Sequence, residues 1–434
     1  MAVLDKIVSA GGDCKSFEHA ARQLNKLAEI SISHMQVARL THEVGRELVQ
    51  ARDDQAEQHR FRQLKADGTQ PAVDLACVEV DGGRVMTRAP DQSRGVHDKQ
   101  WKEPKVGVLW RMTGETFDED PHPGLPRCFQ DRERVSKLMR EIHGTGGAAR
   151  NTKIKAGGDP SPPAAPGTEC TPAAPDQERE RWQPERQFRT CVATLRDVHG
   201  FGPLVAAEAQ RRGFYEASRR AFLGDGQDAN WTVHRLHFPT FTPITDFMHA
   251  VAYAHAAAQV IAPDQHWQRY LSYASACWLG RVDEVTSELD RWLTQHPLPT
   301  GVPLKEISDQ DPGKIVHEAL TYLKNNRERM NYPEYRRQGL PVTSSLIESL
   351  IKEFNWRLKG TEKFWNRPDE SPTSRRTGRQ TRGRTELPEM SAESIAQVRA
   401  AILCEDGRLQ KFIARKSGSP FVRGDLPIPA TYAI

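Results

Sequence analysis

An α/β fold with a mixed sheet is predicted for this chain by three observations. VDLACVEV, KVGVLWRM and RRAFLGDG carry apolar cores of strand length, bounded by Gly, Pro and Asp. Between and after them, apolar residues recur at helical spacing. The 434 residues, 37% of them hydrophobic, suffice for a large core and for two or three domains.

The elements follow in order. Residues 16–45 read as two helices and a tight turn. Ser16 caps the first, whose apolar stripe is Phe17, Ala20, Ala21, Leu24 and Leu27. The turn is Ile30-Ser31-Ile32, and Ser33 with Gln36 forms a capping box for the second helix. Val37, Leu40 and Val44 are expected inside, and His34, Arg39 and His42 outside. A helix-turn-helix-like module that enters a major groove has this pattern, as does any helical hairpin. Residues 46–65 continue as a charged connecting helix.

Strands are expected at 73–80, at RVMTR (84–88) after an Asp81-Gly82-Gly83 turn, and at 105–112. Residues 131–142 and 180–215 read as helical. The Pro-, Gly- and Ala-rich stretch between them reads as a disordered insertion over 150–180. A strand at 219–226 ends on a turn, a helix runs through Trp231 and Leu236, and FTPITDF forms the next strand. Helices fill 247–296 and 312–331, and a last one carries Glu348. Three antiparallel strands followed by alternating helices and parallel strands make the order of a ribonuclease-H-like core. In such a core the first strand is central and pairs with the fourth. The expected division is 1–65 helical and DNA-binding, 66–249 the first part of the core, 250–335 a helical block, 336–366 the last core helix, and 367–434 a basic stretch with a C-terminal helix.

Charge and cysteines narrow the class. A net charge of +4 is only mildly basic, so nucleic-acid binding has to rest on clustering of cations. The seven cysteines form no Cys-x-x-Cys pair, which argues against a zinc ribbon or a disulfide scaffold and for reduced thiols. The N-terminus lacks a signal-peptide core and no apolar run reaches spanning length, so a cytoplasmic, nucleoid-associated protein without membrane contact is expected.

Three remote acids carry the chemistry: Asp81 in VEVDGGRV, Asp225 in FLGDGQDANW and Glu348 in TSSLIESLIKEF. Asp81 and Asp225 fall at strand ends, where α/β folds bind ligands. Converging carboxylates hold pairs of Mg²⁺ ions, with Mn²⁺ an alternative, for phosphodiester chemistry. Each also has an ordinary reading. Asp-Gly-Gly is a hairpin signal, Gly-Asp-Gly a turn, and Ser345-x-x-Glu348 a capping box. At about 100° per residue, Glu348, Lys352, Asn355 and Lys359 share one helix face, and Ile347, Leu350, Ile351, Phe354 and Leu358 the other. Asp246 and His249, one turn apart, are expected to cap or brace more than to ligate a metal. Arg357, Lys359 and Lys363, with Trp356 and Trp365, are candidate phosphate and base contacts, and SRRTGRQTRGR a nonspecific DNA grip.

At these residues the chain resembles bacterial insertion-sequence transposases of the DDE type, and most of all the Kra-type group, relatives of the Mutator-like transposases. The resemblance lies in SFEHAARQLNKLAEISIS, VEVDGGRVMTR, WKEPKVGVLWRMTGETFDEDPHP, GDGQDANW, TDFMHA and YLKNNRERMNYPEYRRQGLPVTSSLIESLIKEFNWRLKGTEKFW, and resumes at IAQVRAAILCEDGRL. It implies an all-helical insertion before the last acid and a catalytic trio of Asp81, Asp225 and Glu348. Asp246-x-x-His249 matches a Cys/Asp-x-x-His signature of Mutator-like relatives. The Pro-rich stretch near 155–175 and the basic stretch 367–392 depart from the group. The expected function is therefore a transposase. It would bind the terminal inverted repeats of its element as a homo-oligomer, cut double-stranded DNA and join it to target DNA, with Lys352, Arg357, Lys359, Lys363 and Arg39 contacting DNA. A related nuclease without joining activity, or an inactive DNA-binding remnant, are the alternatives.

Overall fold

A computed structural model describes residues 2–67, 72–83, 85–88, 100–145, 182–359, 365–366 and 392–415. The expected insertion at 150–180, the tract SRRTGRQTRGR and Lys363 lie outside the described residues. Helices are α1 (Ala2–Asp13), α2 (Phe17–Ala28), α3 (His34–Arg60), α4 (Arg132–Thr145), α5 (Val198–Arg211), α6 (Asp228–His237) and α7 (Phe247–Ile261). They continue as α8 (His266–Trp278), α9 (Val282–Gln295), α10 (Pro312–Asn326), α11 (Tyr332–Arg337), α12 (Ser345–Leu358), α13 (Ala392–Leu403) and α14 (Arg408–Ala414). Strands are β1 (Leu75–Gly82), β2 (Val85–Arg88), β3 (Gln100–Lys102), β4 (Lys105–Thr113), β5 (Glu185–Thr194), β6 (Arg219–Gly224), β7 (Thr242–Thr245) and β8 (Trp365–Asn366). Two compact units result: 1–112 with 186–242 and 345–434, and 113–185 with 243–344.

The protein has the expected mixed α/β character. Its five-stranded sheet runs β5-β4-β1-β6-β7, with β1 antiparallel to β4 and parallel to β6. β1 is central and pairs with the fourth strand of this sheet, and its residues Leu75–Val80 are all buried, as a central strand covered on both faces requires. Ala76, Val78 and Val80 point into a core with Phe201, Leu204 and Val205 of α5 and Trp231 of α6. Gly107 on β4 lets α5 approach, since a Cβ there would lie 2.8 Å from Val205.

Two expectations for the sheet are corrected. Residues 85–88 do not return along β1; they form a second, three-stranded sheet, β3-β2-β8. β1 has two edges, and β4 and β6 occupy both. The third strand of the main sheet is β5, in a stretch expected to be helical. Its outer half, Glu185–Arg189, is charged and at most partly buried, so its helix-favouring residues mask the apolar second half, Cys191–Ala193. Asp197 then caps α5 by accepting from the Gly200 N–H at 2.8 Å.

The N-terminal helices share the core of the first unit rather than standing apart. The caps are as expected: Ser16 accepts from His19 N–H, and Ser33 and Gln36 form a capping box. Helix α1, which the sequence reading left without an element, packs Ile7 with Ala20, Leu24 and Val37 on one side. On its other side Val8 joins Val44, Leu48, Val398, Ala401, Leu409 and Ile413. The crossing of α3 and α13 is close at Gly45, where a Cβ would lie 2.6 Å from the Ser394 carbonyl oxygen. Arg52 on α3 reaches the Ala193 carbonyl at 2.7 Å and the Glu393 carboxylate at 2.9 Å. Glu393 in turn accepts from the Thr194 hydroxyl and the Leu195 N–H. One buried ion pair thus joins α3, β5 and α13.

In the second unit Phe247 sits among Phe129, Trp278 and Tyr332. The fully buried Arg336 lies over the Trp278 ring at 4.0 Å and forks onto Asp120. Among the described residues no helix is long and apolar enough to cross a membrane, and Cys14, Cys77, Cys128, Cys191, Cys277 and Cys404 are free thiols.

His42, expected on the surface, is 1% exposed. Its ring packs with Phe17 and Trp365, 5.8 and 6.3 Å between centroids. Burial, reinforced by the Arg357 and Arg46 charges, pulls its pKa down to about 3. Between that value and the ordinary 6.5, the unfolded chain takes up a proton that the folded chain refuses. His42 therefore supports the fold fully above pH 6.5 and progressively less as pH falls toward 3. Denaturant melts of His42→Phe against the parent should show a stability–pH slope reduced by about 1.4 kcal/mol per pH unit between roughly pH 6 and 4.

Candidate active site

The β1–β6 register builds the site. Glu79 pairs with Leu223 in parallel, so two residues further on Asp81 is level with Asp225. Neighbouring strands lie about 4.8 Å apart, and level residues of parallel strands face the same side. Asp81 and Asp225 accordingly line one cleft, with Gly82, Glu103, Lys105, Phe201, Gln227 and Asn230.

Asp81 is not the turn residue that its glycines suggest, whereas Asp225 opens a turn through Gly226, whose φ is 93°. Asp81 and Gly82 stay in β1, opposite Val106 and Lys105. The Asp81 carboxylate accepts from the Gly82 N–H at 2.6 Å. Asp225 follows the last residue of β6 and is held from the loop after it. Its Oδ1 accepts from the Gln227 N–H at 3.0 Å and the Asn230 amide at 2.8 Å, and its Oδ2 from the Gln227 side chain at 2.7 Å. Two of these bonds fall on Oδ1 and one on Oδ2, three of the roughly four acceptor sites of a carboxylate, so the clamp fixes the direction of Asp225.

Helix α12 packs against β1. Its two faces are as expected: Ile347, Leu350, Ile351, Phe354 and Leu358 are buried, while Lys352 and Lys359 are exposed. Asn355, on the polar face, lies against the end of β1, for a Cβ on Gly83 would be 2.8 Å from its Oδ1. Glu348 is half-buried on the same face, about 10 Å further along the axis. It is not among the residues lining the Asp81–Asp225 cleft. Ser345 is the first residue of α12, which puts Glu348 one position too far along for a capping box.

One expected DNA contact, Arg357, is overturned. Arg357 is 1% exposed. Its Nε donates to the Gly11 carbonyl at 2.8 Å, and the guanidinium lies over Phe17 and Trp365 at 4.4 and 5.2 Å. Burial pulls its pKa to about 10; Cys14 opposes and Arg399 adds to this. Arg357 is therefore an internal brace and not a phosphate contact. Trp365 is buried too, its Nε1 donating to the Leu358 carbonyl. Trp356 is half-buried, with Lys15 over its ring at 5.6 Å. Arg39 is exposed on α3, as expected.

Asp246 and His249 belong to the second unit and form a hydrogen-bonded pair. Asp246 is fully buried and caps α7, accepting from Met248 N–H at 3.2 Å and His249 N–H at 3.3 Å. It accepts as well from Ser344 N–H at 2.8 Å, and its other oxygen lies 2.6 Å from His249 Nδ1. Burial alone would raise its pKa; the bonds and charge of His249 and the Ser344 bonds outweigh this and hold it below the usual carboxylate value.

Glu103, Lys105, Gln227 and Asn230 also line the cleft, and no local pattern marks them. WKEPK gave a charge cluster just before a strand, and GDGQDAN a run of amides after a strand end, but neither has a helical or strand period. The alternation Glu79-x-Asp81 does mark Glu79, since it puts both acids on one face of β1. Glu79 is buried and accepts from the Trp110 indole at 2.9 Å.

The donors suit a hard divalent cation, since the cleft offers carboxylate and amide oxygens and no thiol or imidazole. Its lining carries three carboxylates, Asp81, Glu103 and Asp225, against the single cation Lys105. Level carboxylates repel, and a bound cation relieves that repulsion. Compared with protein-family models the chain has no match, and no curated protein matches it significantly.

Asp246→Ala should lower stability by about 2–4 kcal/mol, from the lost cap and a stranded Ser344 N–H. The depressed pKa means that Asp246 supports the fold above pH ~4 and loses that effect as pH falls through the folded value. Chemical denaturation of parent and variant at pH 7 and pH 3 should show the difference shrinking at the lower pH.

Proposed function

We propose that this protein is a DDE-type transposase that cleaves DNA at the ends of its element and joins them to target DNA. The observation that carries the reading is the β1–β6 register, which sets Asp81 level with Asp225 in one carboxylate-rich cleft. The sheet order supports a ribonuclease-H-like core. Counted along the chain, its strands lie third, second, first, fourth, fifth, with the second antiparallel and the fourth parallel to the first.

Asp81, Asp225 and Glu348 would hold two Mg²⁺ ions, or Mn²⁺ in their place. When bound, the ions supply activation of the attacking water or 3′ hydroxyl and stabilisation of the leaving oxygen. The chain's own residues do the rest. The Gln227–Asn230 clamp fixes the direction of the Asp225 carboxylate before substrate arrives, which is the preorganisation such a site requires. Lys105 places a cation at the cleft for a nonbridging phosphate oxygen. Lys352 and Lys359 extend the positive face of α12, and Arg39 offers a further backbone contact. Arg357 serves differently, holding α12 to α1 so that the polar face is presented in one orientation. Cutting two ends in one complex calls for a homo-oligomer on double-stranded DNA.

A nuclease without joining activity is the second reading, favoured by the absence of Glu348 from the cleft lining. Plasmid DNA bearing the sequences that flank the gene separates the cases. With Mg²⁺ the parent protein should nick at the element ends and, given precleaved ends, yield strand-transfer product. Asp81→Asn and Asp225→Asn should each lower cleavage on the order of 10⁴-fold while leaving DNA binding intact. Undiminished nicking by Asp81→Asn refutes the assignment, and cleavage without any joined product selects the nuclease.

A further inference from the structure

A second cavity in the first unit shares no residue with the Asp81–Asp225 cleft. Its volume of about 330 Å³ lies at the lower end of the range for small-molecule sites. Its walls are of two kinds. Leu48 and Ala51 of α3, Val192 of β5, Leu204 and Ala207 of α5 and Phe412 of α14 make an apolar part. Around them stand Arg52, Arg211, Arg212, Arg408, Lys411 and Arg415, against only Asp67, Glu208 and Asp406.

The inner cations are already satisfied. Arg212 and Arg408 both pair with Glu208 and Asp406, and Arg52 with Asp53 and Glu393. Burial would raise the Glu208 pKa, but Arg408, Arg212 and Arg211 hold it far below the usual range. The outer cations are not satisfied. Lys411 and Arg415, one helical turn apart and both exposed, have no carboxylate at ion-pair distance among the described residues. Arg211 feels the surplus: burial, together with Arg408 and Arg212, lowers its pKa in spite of Glu208.

Two amides complete the lining. Arg52 donates to the Gln397 Oε1 at 3.3 Å and Arg211 to the Gln55 Oε1 at 3.2 Å. Each bond uses the amide oxygen and leaves the NH₂ as a donor toward a ligand acceptor. A fatty acyl chain would strand these donors against hydrocarbon, and bare phosphate would leave the apolar wall wet. A flat heterocycle with edge acceptors, joined to a phosphate, satisfies all three parts.

We propose that this cavity binds a nucleotide, with its base against Phe412 and the apolar wall, its edge facing Gln55 and Gln397, and its phosphate at Lys411 and Arg415. The same chemistry is offered by a free nucleotide and by one unstacked residue of a DNA strand. Calorimetric titration of the full chain with adenosine monophosphate, with a short single-stranded oligodeoxynucleotide and with inorganic phosphate tests this. Adenosine monophosphate or the oligonucleotide should bind at least about tenfold tighter than inorganic phosphate, and which of them does so identifies the source. Lys411→Glu with Arg415→Glu should weaken that binding at least about tenfold with no change in melting temperature, both residues being exposed. Phe412→Ala should weaken nucleotide binding and leave any phosphate binding alone. No binding by either nucleotide form, inorganic phosphate binding equally well, or full binding by the double variant each overturns the proposal.

Discussion

The architecture depends on one strand being hydrogen-bonded along both edges and buried on both faces. β1 takes β4 antiparallel on one side and β6 parallel on the other, and its residues Leu75–Val80 are all buried. A strand in that position cannot slip by one residue without turning its apolar side chains out of two cores at once. The register is therefore rigid, and the placement of Asp81 beside Asp225 inherits that rigidity. The acids need not be brought together by any loop. They lie two residues beyond the last parallel pair, Glu79 with Leu223.

Around this sheet, buried charges rather than apolar contacts alone set the orientation of the helices. Glu393 receives Arg52, Thr194 and Leu195; Glu208 receives Arg212 and Arg408; Arg357 reaches from α12 to Gly11. Apolar surfaces tolerate sliding, whereas a buried carboxylate with three donors tolerates little, because any donor withdrawn leaves a charge unsolvated. The same principle acts in the second unit, where Asp246 collects Met248, His249 and Ser344, and Arg336 is fixed by Asp120 and Trp278. Charged residues placed inside the fold thus account for several positions that look like surface chemistry in the sequence.

The candidate site and the second cavity show two ways of arranging charge. In the cleft, carboxylates outnumber cations and the excess is negative, with one aspartate held by neutral amides that orient it without neutralising it. In the cavity, cations outnumber carboxylates, and the excess collects at its exposed edge on α14. The two imbalances are of opposite sign.

The sequence by itself determined the α/β class, the caps of α2 and α3, the central strand and its pairing with the fourth, and the two faces of α12. Those features follow from local periodicity and from residues adjacent in the chain, which a linear pattern records. Tertiary structure decided the rest. That β4 and not β2 takes the other edge of β1 emerged only from competition for that edge, and β5 was hidden behind a charged outer half. The burial of His42 and Arg357 and the membership of Glu103 and Asn230 in the cleft depend on neighbours far along the chain. A histidine or arginine on a helix has the same local pattern whether water or another helix lies beyond it, and only packing chooses between them.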